Sequence, residues 1–91
     1  MPELIAASTA QVDSADITVT AGTSVTFLLK GGGGTEGMPR GSSASVQAKA
    51  GTQYVTVGVM DSENPMAVLS ASGVFRVRKS ASASAVGVDQ N

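Results

Sequence analysis

Ser72-Gly73-Val74-Phe75-Arg76-Val77-Arg78-Lys79 alternates apolar and basic residues at a period of two. Only an extended strand turns that spacing into two unlike faces. Phe75 and Val77 point to one side, and Arg76 and Arg78 point to the other with Val74. Three of the chain's six positive charges lie in this run. The expectation from charge is that Arg76, Arg78 and Lys79 lie on one exposed sheet surface. There they are either solvated, blunting an edge, or presented to an acidic protein, because the guanidinium fork fits a carboxylate in two-point geometry.

The same period recurs along the chain, in runs broken by turn signals. Glu3 to Ala7 reads as a short edge strand, followed by a polar connection through Ala15. Asp16 to Thr20 and Ser24 to Lys30 read as the two arms of a hairpin closed by Ala21-Gly22-Thr23, with Val25, Phe27 and Leu29 facing the core. Residues 31–43 hold six of the eleven glycines. This loop reads either as an arm ordered by a neighbour, with Met38 and Arg40 as its contacts, or as a bare hairpin tip. Ala44 to Ala50 and Gln53 to Met60 follow, with Val55, Val57 and Val59 expected on one face and Tyr54 on the other, its hydroxyl open to water or a partner. Asp61 to Pro65 is a turn and Met66 to Leu69 a short strand before the Gly73 run. The Ser/Ala-rich tail, 80–91, is either disordered or docks Val86 and Val88 as a last strand. The expected architecture is all-β: one domain over 1–79, a small antiparallel β-sandwich or barrel of six to eight short strands with a Gly-rich loop.

A chain of 91 residues buries only about 60–65% of its unfolded surface, and this one has no Cys to staple a thin core. Association, with copies of itself or with a larger protein, is the expected remedy. The net charge of −1 and pI near 5.0 argue against nucleic-acid binding. No apolar run spans a bilayer, and the acidic N-terminus does not read as a secretory signal. There is no His or Cys for general-base, nucleophilic or zinc chemistry. Lys30, Lys49 and Lys79 leave only a formal route to lysine-assisted serine chemistry. The glycine run lacks the Gly-Lys-Ser/Thr ending of a phosphate loop. Asp61 with Glu63, and Asp13 with Asp16, are weighed as calcium ligands but read as solvated turn acids. The expectation is a protein that is not an enzyme, with no catalytic residues, no metal and no cofactor.

The segments Tyr54-Val55-Thr56-Val57, Asn64-Pro65, Val68 to Lys79 and Ala85-Val86-Gly87-Val88-Asp89 resemble the second half of small virion proteins of tailed bacteriophages. The resemblance covers about Gly51 to Asp89 and departs from the pattern at Ser72, where Pro is expected. It implies a structural protein of the particle that decorates or cements the capsid, assembled in the host cytoplasm, with a capsid or other virion protein as partner. Arg76 and Arg78 join Met38 and Arg40 as candidate contacts. The alternative is a carbohydrate or cell-surface binding module of a phage fibre, which calls for exposed aromatic or amide platforms that this chain largely lacks.

Overall fold

The computed structural model describes residues 3–31, 42–82 and 85–91. The chain forms β1 (Glu3–Ser8), β2 (Val12–Asp13), β3 (Ile17–Val19), β4 (Val25–Gly31), β5 (Ser43–Ala50), β6 (Gln53–Asp61), β7 (Met66–Leu69), β8 (Gly73–Lys79) and β9 (Val86–Gln90), with no helix among the described residues. Two antiparallel sheets pack face to face, one ordered β1-β9-β4-β7 and the other β2-β8-β5-β6 with β3 also on β8. The all-β sandwich expected from the alternation is present. The described strands number nine where six to eight were expected, partly because β2 lies within the stretch read as a connection.

β8 is an interior strand. β5 lies along one side of it, and β2 and β3 lie end to end along the other. Ser14 bridges the gap between those two short strands. Its N–H donates to the Val77 carbonyl at 2.8 Å, and its Oγ accepts from the Val77 N–H at 2.9 Å. The hydroxyl thus supplies an acceptor where the ladder is interrupted.

Ile5, Phe27, Leu29 and Val88 from the four-stranded sheet meet Ala44, Val46, Met60 and Val77 from the other to form the core. The expected hairpin of residues 16–30 is not formed. Thr23 closes a turn onto the Thr20 carbonyl at 3.2 Å, but β3 pairs with β8 and β4 with β7 and β9, in opposite sheets. Both strands carry their apolar residues on one face, and crossing between sheets turns those faces toward each other. Side-by-side pairing would leave both needing a cover.

The stretch expected as a tail contributes β9, which lies between β1 and β4 with Val86 and Val88 fully buried. Glycine is required at its second residue. A Cβ on Gly87 would sit 2.6 Å from the Ile5 carbonyl oxygen and 2.9 Å from the Ala7 nitrogen. The close approach follows from an extra residue in β1, which pairs Ile5 with Val88 but Ser8 with Val86.

Lys79 corrects the expectation that it shares an exposed face with Arg76 and Arg78. It follows the alternation inward, behind Phe75 and Val77, and is completely buried. Its ammonium donates to the Ser8 carbonyl at 3.0 Å and to the Ala10 carbonyl. Both acceptors lie where the chain passes from β1 to β2, from one sheet to the other. Period outweighed charge here because an inward position can hold an ammonium when carbonyl groups are within reach.

Replacing Gly87 with Ala is expected to lower stability by about 1–3 kcal/mol, the usual range for an overpacked site, measurable as a fall in the urea midpoint. Lys79→Ala is expected to cost about 2–4 kcal/mol through its cavity and two abandoned carbonyls. Burial pushes the Lys79 ammonium below its ordinary 10.5. Between the lowered value and 10.5 the unfolded chain binds more protons, so this penalty is relieved as pH rises through that window. Urea midpoints of the native chain should therefore rise relative to those of Lys79→Met over the same pH interval.

Candidate functional site

The outer face of the five-stranded sheet gathers most of the chain's polar chemistry. The register sets Ser45 opposite Arg78 and Gln47 opposite Arg76, while Tyr54 lies opposite Lys49 on the neighbouring strand. Arg76 lies flat over the Tyr54 ring, its guanidinium carbon 3.6 Å from the centroid, and its Nε donates to Gln47 Oε1 at 2.8 Å. This is a cation–π contact held in place by a hydrogen bond. The Tyr54 hydroxyl donates to Asp16 Oδ1 at 2.7 Å, and Lys49 Nζ lies 3.4 Å from Asp16 Oδ2. Arg78 grips Asp13 with Nε and Nη2 at 2.8 and 3.2 Å, and Arg76 Nη1 lies 3.6 Å from the same carboxylate.

Of the expected contact residues, Arg76 and Arg78 are therefore brought together on one face as read, and each also has a partner within the chain. Arg76 is the more enclosed, with 18% of its side chain exposed against 40% for Arg78. Met38 and Arg40 lie outside the described residues. Tyr54 differs from its reading, since its hydroxyl is taken by Asp16 and one ring face is covered by Arg76. The acidic turn is also engaged. Asp61 Oδ1 accepts from the N–H groups of Glu63 and Asn64 at 2.9 and 2.8 Å, an Asx-type closure of the turn. Among the described residues no three His, Cys, Asp or Glu side chains are grouped to hold a metal, and no helix is long and apolar enough to cross a membrane.

A second surface runs along the rim where β6 and β7 are the outermost strands of their sheets. Val55, Val57, Val59, Met66 and Val68 are each between 51% and 62% exposed, and all of the large apolar side chains found exposed among the described residues lie on these two strands. The three valines do not share one face as expected. Val46 pairs with Gly58 but Gln47 pairs with Thr56, so Val57 is an extra, unpaired residue. The bulge shifts the phase, and Val55 opposite Ala48 falls on the inner face while Val59 opposite Ser45 falls on the outer one. Even the inward Val55 is uncovered, because the four residues of β7 cannot roof the nine of β6. Val57, Gly58, Ala67, Val68 and Leu69 line a shallow groove of about 50 Å³ that reaches the core at Val46. The valine run was visible in the sequence. Its exposure was not, because nothing local announces a bulge or the length of the opposing strand.

The hydrogen bonds donated by Arg78 to Asp13 and by Tyr54 to Asp16 are the foremost causes holding these carboxyls below their ordinary 3.8, with the neighbouring cations adding to the effect. Their stabilisation is complete above that value and is lost as pH falls through the lowered ones, since the unfolded chain takes up protons first. The melting temperature should therefore drop on acidification below about pH 4. Asp13→Asn and Asp16→Asn together should flatten that drop; an unchanged acid limb would show that these pairs contribute nothing.

Compared with known proteins, the chain matches no family model, no curated protein and no solved structure.

Proposed function

We propose that this chain is a non-enzymatic structural protein of a phage virion that decorates or cements the capsid surface. The observation that carries the reading is the apolar rim: five large side chains on two adjacent edge strands are left more than half exposed. Large apolar side chains left uncovered on neighbouring edge strands of a small domain offer a surface for protein contact. The stretch that resembles small phage virion proteins, Gly51 to Asp89, contains both rim strands together with β8 and most of β9. A thin sandwich that completes its burial by docking on a shell, many copies per particle, contributes to particle stability through repeated modest contacts. The fibre-module alternative has less support, because Tyr54, the aromatic it would rely on, is stacked under Arg76 and bonded to Asp16.

The test is to add the purified protein to capsids that lack it and to measure occupancy and resistance to heat. Saturable binding with raised heat resistance is expected, and absence of saturable binding overturns the reading. Arg78→Ser, which removes the more exposed of the two arginines, is expected to lower occupancy at limiting concentration while the far-ultraviolet spectrum stays that of a β protein.

A further inference from the structure

We propose that the β6/β7 rim is a two-fold interface with a second copy of this chain, in which the β6 strands run antiparallel to each other and Val57 lies near the axis. The proposal rests on the reading of the rim as a protein-docking surface and names its occupant. Four observations select a second copy. The strip carries exposed side chains, Val55, Val59 and Met66, beside a groove lined by Val57, Gly58, Ala67, Val68 and Leu69. One surface bearing both knob and hole is what an isologous contact requires. Residues 53–60 and 66–69 hold no charged side chain, so two copies meet there without desolvating or opposing like charges. The five exposed side chains offer on the order of 400–500 Å² per copy, so a pair reaches roughly 1,000 Å² with the flanking backbone, the lower bound for a specific interface.

The fourth observation fixes the direction. Val57 is the middle residue of Gln53–Asp61. Around an axis at that point, the acidic turn with Asp61 and Glu63 in one copy comes to the end of the strand where the second copy carries Lys49, which lies opposite Tyr54. Lys49 already lies 3.4 Å from Asp16 of its own chain, so the acid decides the direction: a parallel arrangement sets the two acidic turns against each other, and the antiparallel one keeps them at opposite ends.

The other rim of the sandwich offers no comparable surface. β1 is irregular, β2 and β3 are two and three residues long, and Glu3 and Asp13 stand on those edges in ion pairs. Those are features that keep an edge from pairing.

Sedimentation velocity of the full chain over a concentration series is expected to show a reversible dimer. Val57→Asp and Val68→Asp are each expected to weaken it at least about tenfold, a loss of one inserted charge's cost, with the melting curve measured beside each variant. Because the chain has no Cys, Val57→Cys gives a second readout that leaves the strip apolar. Mild oxidation should link it into a covalent dimer, whereas Thr20→Cys, on an exposed turn of the β3 side, should remain single. A native chain that stays monomeric with no Val57→Cys linkage overturns the second copy. If Val57→Asp then also abolishes capsid binding, the rim serves the shell protein instead and the reading under Proposed function stands. If Val57→Asp binds capsids as the native chain does, the rim is not a docking surface: the second copy falls, and the capsid reading stands only on another face of the domain.

Discussion

The buried ammonium of Lys79 is the constraint on which the rest of the sandwich depends. A fully enclosed lysine with no carboxylate among its bonded partners in the described residues is expensive to desolvate. Its Nζ is bonded instead to the Ser8 and Ala10 carbonyls, in the segment where the chain leaves one sheet for the other. Ser8 is the last residue of β1 and Ala10 lies beyond it, outside both ladders, so a donor from elsewhere satisfies carbonyls where the ladder ends. Lys79 supplies two from the end of the interior strand β8. The interaction thus couples the last residue of one sheet's central strand to the edge strand of the other. The Ser80 N–H, donating to the Ser43 carbonyl at 3.0 Å, secures the chain just beyond it.

With its inner side committed to the core and to this crossing, β8 turns only Val74, Arg76 and Arg78 outward. The two arginines then organise the outer face through bonds within the chain: Arg76 to Gln47 and Tyr54, Arg78 to Asp13. Exposed ion pairs of this sort add little to stability individually. Their larger effect is on what the surface offers. A guanidinium already gripping Asp13 with two nitrogens must give up that partner, or share it, before it binds another carboxylate, whereas the valines of the rim give up only water. The contrast makes the apolar rim, rather than the basic face, the surface with the greater gain from contact.

The sequence carried the period of nearly every strand, and hence the fold class. Phe27, Leu29, Phe75 and Val77 were placed in the core from alternation alone, and all are buried. What it hid was non-local. The turn at Ala21–Thr23 looks the same whether the arms pair or separate into two sheets, because the partners of β3 and β4 lie 38 or more residues away along the chain. Gly87 reads as a flaw in a short tail until the backbone of β1 is laid across it. Lys79 departs from the expectation for a different reason: its position in the alternation points inward while its charge points to solvent, and carbonyl groups within reach decide for the inward position. For the candidate site, Arg76 and Arg78 were legible as neighbours on one face, but their partners Asp13, Gln47 and Tyr54 come from strands that only folding brings near.

The bulge at Val57 ties the core to the rim. Without it, strict alternation along β6 puts Val55, Val57 and Val59 on the inner face and Met60 outside with Tyr54. With it, Gly58 and Met60 turn inward opposite Val46 and Ala44, and Met60 is fully buried. The core thereby gains a long, adaptable side chain in place of a valine. Gly58, with no side chain, leaves space above Val46, and that space is the floor of the rim groove. Val59 is displaced to the outer face, where no other strand covers it. One inserted residue therefore both fills the centre of a thin core and displaces Val59 to the uncovered rim, where the short β7 leaves Val55, Met66 and Val68 exposed as well.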